Sequence, residues 1–431
     1  MGWGNVKRDE GPGSRKLVNK NWLKRCGAIG VAGLGVGSLV MVLYSQAQSE
    51  TVPAASTPSP VEPPPIENLP TPTLPTAVPL LKPAQSTYTA VNEFSHNTFQ
   101  IDSRRLFHPQ PLPKLPIRTA PSKLLRVLRN TRTYFAQYGS SDPVVQRDGI
   151  LAAQGVTVTD VLNTLDFMIA TLTEDISKKQ PIRLLDSQFI NENFRVMAWK
   201  PYNPRNLQQT EKLRLTKYAV FTHRGSRTRT ATYNVALYAL PPNANEDYFY
   251  RQYTKQQVIA GIYEPGGQEY GRVQPIAYLT RSAFEDALMQ GTILIQFPDG
   301  SASYFNVDRN NNIAFVKGLD PYHQKRYWYF REVKAIKGYG SEITNKIDIE
   351  PEVTFAGDVY NIGLGRVILL EDQAGGGHKL RLGVIADTGG AFIPNLYQLD
   401  FLTGVFPTRQ DFQNYIYQLP EFVKAYILIK K

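Results

Sequence analysis

The sequence predicts an α+β protein, mainly β, whose helices precede its strands. Three observations carry this. Leu162, Leu165, Ile169, Leu172 and Ile176 recur at steps of three and four, the period of one helix face. Beyond about residue 210 the pattern changes to short runs rich in β-branched and aromatic residues, such as YNVALYAL at 233–240 and TILIQF at 292–297. No period of roughly 20–50 residues repeats, which excludes solenoids and propellers.

The chain has 431 residues and a net charge of +11, and 11% of its residues are aromatic. That is enough aromatic and aliphatic material for a sizeable core, so global disorder is excluded. Cys26 is the single cysteine, which rules out an internal disulfide framework and a cysteine-rich zinc site. Residues 1–50 hold seven Lys or Arg against three Asp or Glu, and a balance of +8 is spread thinly over 86–431. Nucleic-acid binding concentrates its basic residues in a stripe, so no nucleic-acid partner is expected.

The first elements are for targeting and reach. A basic segment, 1–25, precedes an uncharged run from Cys26 to Tyr44. As a helix that run would rise about 28 Å, close to the hydrocarbon thickness of a bilayer. The upstream positive charge keeps the N-terminus inside and sends the remainder out of the cytoplasm. The length favours a retained anchor, although Ser45-Gln46-Ala47 offers a signal-peptide cleavage site. A linker follows at 51–85, with 11 prolines between 51 and 83. It reads as a stiff, extended spacer without a core. The proline-dotted stretch 86–120 reads as a loosely packed lead-in.

Residues 122–138 read as a helix ending near Gly139, and the second helix takes Thr159 or Asp160 as its N-cap. Pro298-Asp299-Gly300 separates TILIQF from SASYFNV, a hairpin signal. Arg366–Glu371, Lys379–Ala386 and Ala425–Lys430 complete the strands.

The chemistry narrows quickly. The five histidines are scattered without a metal-ligand spacing, and no phosphate loop or nucleophile elbow occurs, so no metal and no cofactor are expected. Three carboxylates remain among apolar strands: Asp358 in TFAGDVYNIG, Asp387 in VIADTGGAF and Asp400 in LYQLDFLTG. Apolar flanks desolvate a carboxyl group and raise its pKa toward that of a general acid. Equally, such aspartates cap turns in a β-barrel, and residue type alone does not separate the two roles.

Motifs then add a resemblance. Thr216-Lys217-Tyr218 with SRTRTATYNVALYALP, then Gln290-Gly291-Thr292 before ILIQFPDG, Asn311, TFAGDVYNIG, ADTGGAF, LDFLTG and the closing YILIKK run in one order along 122–431. That order resembles the membrane-bound lytic transglycosylase A (MltA) family with its C-terminal 3D domain. Lys217, Ala219, Thr292 and the Asn310-Asn311-Asn312 stretch depart from the family pattern. The loop between Asp387 and Asp400 is longer, and an apolar span stands where relatives carry a lipid anchor.

The resemblance implies a double-psi β-barrel domain from 122–214 and 326–431, led by helices, with a smaller β domain inserted at 215–325. It also implies cleavage of the β-1,4 bond between N-acetylmuramic acid and N-acetylglucosamine in peptidoglycan without water, leaving a 1,6-anhydro ring. Asp400 takes the position of the catalytic acid, with Asp387 and Asp358 supporting it. Gln290, Gly291, Tyr218 and Asn311 take those of sugar contacts. The expected protein is a monomer whose partners are glycan strands and, through its N-terminal segment, the membrane. It works on the outer side of that membrane in the cell envelope. Two other readings are carried forward: a non-catalytic wall-binding protein on the same fold, and a hydrolase using Asp387 and Asp400 as a pair.

Overall fold

A computed structural model describes residues 87–91, 99–373, 377–389 and 394–431. The basic segment, the apolar run 26–44 and the proline-rich linker lie outside the described residues. Among those described, no helix is long and apolar enough to cross a membrane.

Helix α1, Pro121–Tyr138, begins with proline at N1 and ends at Gly139. Helix α2, Val158–Ser177, starts earlier than the sequence pattern predicts, because Thr157 is its N-cap. The Thr157 hydroxyl and the Asp160 carboxylate close a reciprocal capping box. Its buried face is also rotated from the predicted stripe. Val161, Thr164, Leu165, Met168, Thr171, Leu172 and Asp175 face inward, while Leu162, Ile169 and Ile176 are half-buried. The threonines tolerate the interior because their hydroxyls donate to carbonyls four residues back, at 2.6 and 2.8 Å.

The strands follow in order. β1 is Phe194–Trp199 and β2 is the 14-residue Leu213–Ser226. β3 (Val235–Ala239), β4 (Gln274–Leu279), β5 (Thr292–Gln296), β6 (Ala302–Asn310) and β7 (Trp328–Val333) come next. Between β4 and β5 lies a short helix, α3, at Arg281–Ala287. β8 (Thr354–Ala356), β9 (Val367–Asp372), β10 (Lys379–Asp387), β11 (Gln398–Phe406) and β12 (Phe422–Lys430) complete the sheet, with α4 (Arg409–Ile416) before the last strand. The β5–β6 hairpin turns at Gly300, whose φ of +84° suits glycine, while Asp299 accepts from the backbone and hydroxyl of Ser301.

Pairing in the C-terminal half is mixed parallel and antiparallel. β2 pairs β11, β11 pairs β8, β8 pairs β10, β10 pairs β9 and β9 pairs β12. β12 then returns to β2 through Val423↔Leu213 and Phe422↔Arg214. These strands and the two long helices enclose one core, while β3–β7 enclose a second, aromatic one built on Phe249, Tyr250, Phe284, Tyr327 and Tyr329. β2 belongs to both. Its first half lies along β11, and its second half lies parallel to β5 through Thr222↔Leu294.

The lead-in corrects one expectation. Phe107, Leu112 and Ile117 are buried, and Phe107–Pro109 pairs with β1. Proline is tolerated there because an outer strand leaves one row of backbone N–H groups without a ladder partner.

Candidate active site

Strand register assembles the site. Asp400 on β11 stands opposite Thr216 of β2 on one side and Ala356 of β8 on the other. Ala356 is in turn opposite Asp387 of β10. Adjacent strands lie about 4.8 Å apart, so the Asp387 and Asp400 backbones are roughly 10 Å apart across β8, in one row.

Asp400 is 2% exposed and its Oδ1 has no hydrogen-bond partner among the described residues. Burial pushes its pKa up to about 7. The Thr216 hydroxyl opposes that rise, the charge of Asp387 adds to it and Lys217 works against it. Asp387 is 9% exposed, and burial raises it to about 6 against the hydrogen bonds of Tyr218 and Thr388 and the charge of Lys346. The Tyr218 hydroxyl donates to Asp387 Oδ2 at 2.7 Å, and the Thr388 N–H donates to Oδ1 at 2.8 Å. Two carboxyl groups thus sit in one row, both pushed above the ordinary carboxylate range by burial, and one oxygen of Asp400 is unpartnered among the described residues. A raised carboxyl pKa is what a general acid near neutral pH needs.

Asp358 does a different job. It is fully buried at the mouth of a helical turn, Val359–Gly363. It accepts from Asn361 N and Nδ2 at 3.0 and 2.7 Å and from Asn395 N at 2.9 Å. Burial raises its pKa to about 6 against those bonds. Asn361 passes the brace onward, binding Val91 through N–H and carbonyl and accepting from Tyr88.

The remaining sequence candidates divide. Gln290 is half-buried; its carbonyl accepts from Phe221 N, and its amide nitrogen meets His223 Nε2 and the Asp286 carbonyl at 3.1 and 3.2 Å. Asp286 also holds Arg409 of α4, so this amide is engaged in a network joining β2, α3 and α4. The Gly291 carbonyl accepts from Val307 and anchors β6. Asn311 corrects the sugar-contact role that the resemblance implies. It is wholly buried, donates to the Tyr253 and Lys325 carbonyls, and accepts from Ile313 and Tyr327. A side-chain amide can make four such bonds, so no polar valence is left for a sugar.

Sequence reading missed Lys346, a buried amine acting on Asp387. Nothing around Thr344-Asn345-Lys346 marks it. The only sequence hint is the flanking pair Gly338 and Gly340, which admits close packing. Among the described residues no group of His, Cys, Asp and Glu could hold a metal ion.

No protein-family model and no curated protein matches the sequence. Solved structures do. A membrane-bound lytic murein transglycosylase from Agrobacterium tumefaciens is 16% identical, covering 75% of this chain and 98% of its own, with a TM-score of 0.50. MltA from Neisseria gonorrhoeae is 13% identical, covering 81% and 97% respectively, also with a TM-score of 0.50. A sheet-rich chain with leading helices, a single row of buried aspartates and these two likenesses together give this protein the fold of the MltA lytic transglycosylases.

Proposed function

We propose that the chain is a peptidoglycan lytic transglycosylase with Asp400 as its acid and base. The observation that carries this reading is the buried Asp400 carboxyl, with one oxygen unpartnered beside the second carboxyl of Asp387. Hydrolysing glycosidases use two carboxyl groups, one of them as nucleophile or to activate water. In an intramolecular cyclisation the nucleophile is the muramic acid's own O6, so one carboxyl suffices. Asp400 donates its proton to the leaving O4 as the C1–O4 bond breaks. As carboxylate it then takes the proton from O6 while the O6–C1 bond closes, and no water is consumed. Holding O6 against C1 supplies the proximity that a bound water would otherwise need.

In this reading the six strands β2, β11, β8, β10, β9 and β12 are the double-psi barrel. The barrel domain takes the leading helices, the first half of β2 and the chain after β7, and the insert runs from the second half of β2 through β7. Both junctions thus shift from 214/215 and 325/326, with the glycan between the two. Tyr218 holds Asp387 and offers its half-buried ring to a sugar face, Gln290 and Gly291 shape the insert's side, and Asp358 braces the loops. In the same reading the apolar run 26–44 holds the enzyme on the outer face of a membrane within the cell envelope, and the chain acts as a monomer. The Agrobacterium tumefaciens relative is a membrane-bound lytic murein transglycosylase.

Digestion of purified sacculi tests the reading. Released muropeptides should be lighter than hydrolysis products by one water. Products with free reducing ends would establish a paired-carboxylate hydrolase, and sacculi bound but uncut would establish a wall-binding protein. Asp387→Asn should lower turnover by roughly ten- to a hundredfold, since it acts on Asp400 rather than on the sugar. A loss equal to that of Asp400→Asn, measured on the same sacculi, would make Asp387 a reacting group.

A further inference from the structure

Beside Gln290 a shallow open cleft lies between the end of α3, β6 and the loop 311–327 that joins β6 to β7. Three buried polar side chains hold that loop in shape. Gln324 accepts from Val316 N at 3.0 Å and donates to the Val316 and Leu319 carbonyls at 2.8 and 2.9 Å. Asn311 ties the two ends together through Ile313 N and Tyr327 N. Lys255 is ion-paired with Glu285 of α3 and donates to the Pro321 carbonyl. A loop fixed in this way still leaves Val316, Leu319 and Tyr322 exposed, with Phe315 half-buried in the cleft wall. Apolar side chains held outward on a braced loop mark a contact surface.

Arg326 adds the charge. It is half-buried in the cleft wall, its Nε donates to the Ile313 carbonyl at 3.0 Å, and its guanidinium lies 5.4 Å from the Trp328 ring centroid. Among the described residues no carboxylate pairs with it, and its two terminal nitrogens make no hydrogen bond. The acids nearby are already engaged. Glu285 is shared by Lys255 and Arg281, Asp286 holds Arg409, and Asp320 on the rim faces His323 at 3.5 Å. Lys317 and Lys325 of the same loop are exposed, so the local balance is positive. A guanidinium with two terminal nitrogens to spare offers a planar fork for one carboxylate.

Gln290 links this cleft to the row of aspartates. Its carbonyl accepts from Phe221 N, five residues along β2 from Thr216, which stands opposite Asp400. At roughly 3.3 Å per residue the cleft begins about 17 Å from that carboxyl group.

We propose that this cleft binds the acidic stem peptide that branches from peptidoglycan sugars. Arg326 pairs with one of its carboxylates, and the apolar side chains of the loop pack on its alanine methyls. The identity of the ligand rests on peptidoglycan being the substrate. A stem peptide is short, carries free carboxylates and small apolar side chains, and is tethered to the strand that the site holds, so its capture is an intramolecular second contact. At that distance from Asp400 the contact strengthens binding of the strand equally before and during bond breaking, which lowers KM and leaves kcat alone.

Calorimetry on the full-length chain tests this with the peptide acetyl-L-Ala-γ-D-Glu-L-Lys-D-Ala, its two carboxyl groups free, against the same peptide with both amidated. The wild type should bind the acid form about tenfold or more tightly than the diamide. Arg326→Gln should bind both forms as weakly as the wild type binds the diamide, while chitohexaose, which has no carboxylate, should bind wild type and variant alike. On sacculi Arg326→Gln should raise KM by a similar factor with kcat little changed. Equal affinity of the wild type for the two peptides would overturn the proposal even if Arg326→Gln failed to fold. So would a folded Arg326→Gln that keeps the preference, or one that loses chitohexaose as well, which would make Arg326 a sugar contact. Sacculi cut to anhydro-muropeptides by a chain indifferent to the peptide's carboxylates would remove the cleft's role and leave the transglycosylase standing. A carboxylate preference with sacculi uncut would support the cleft and remove the transglycosylase.

Discussion

Asp400→Asn should lower release of anhydro-muropeptides by about 10⁴-fold or more. General acid–base assistance is typically worth ~10²–10⁴-fold, and here one group serves both the departure of O4 and the attack of O6. Asparagine keeps the size and polarity of the site but cannot pass a proton. The same substitution should stabilise the fold, with a sign set by linkage. The Asp400 pKa is raised to about 7, so between about pH 4 and 7 the folded chain binds more protons than the unfolded one. Stability from this group is full below the unfolded pKa and is lost as pH rises through the folded one. Asp400→Asn escapes that loss. Its melting temperature should exceed the wild type's at pH 8, by up to about 4 kcal/mol in stability, and the advantage should vanish near pH 4. Thermal scans at the two pH values check this, and a variant less stable at pH 8 would contradict the desolvation argument.

Asp358→Ala should be the most damaging to stability. It strips the acceptor from Asn361 N, Asn361 Nδ2 and Asn395 N, all buried. Each buried donor left unpaired costs about 1–3 kcal/mol, so a net loss of roughly 3–5 kcal/mol at pH 5 is expected. This carboxyl is also raised, to about 6, so ionising it weakens the wild-type fold as pH climbs. The gap between variant and wild type should therefore narrow from pH 5 to pH 8. Asn361 would lose its hold on Tyr88 and Val91, so the strand Thr87–Ala90 should become a protease target. Equal melting temperatures at pH 5, with that strand still protected, would show that Asp358 braces nothing.

Much of this protein was legible locally. Helix α1 with its stop at Gly139, the β5–β6 hairpin at Gly300, and β9 and β10 follow from hydrophobic period and turn residues, which are properties of neighbouring positions. The apolar flanks of Asp387 and Asp400 on their strands, and of Asp358 at the start of a helical turn, likewise announced desolvation, because a residue between buried neighbours has little route to water. The sequence by itself therefore determined the order of elements and the three carboxyl groups that matter. Tertiary structure decided the rest. Nothing local says that Asp400 and Asp387 flank the same alanine, since strand register is settled between residues far apart in the chain. Nothing local separates a carboxyl that braces a turn, Asp358, from one with an unpartnered oxygen, Asp400. That difference depends on which donors the fold brings within reach. The buried face of α2 turned away from its apolar stripe because threonine hydroxyls can satisfy themselves on their own helix. Asn311 became a brace because four backbone groups converge on it. Lys346 came near the end of β10 only because two glycines let a distant loop press against that strand, and the pair Gly338 and Gly340 is the one local trace of the approach.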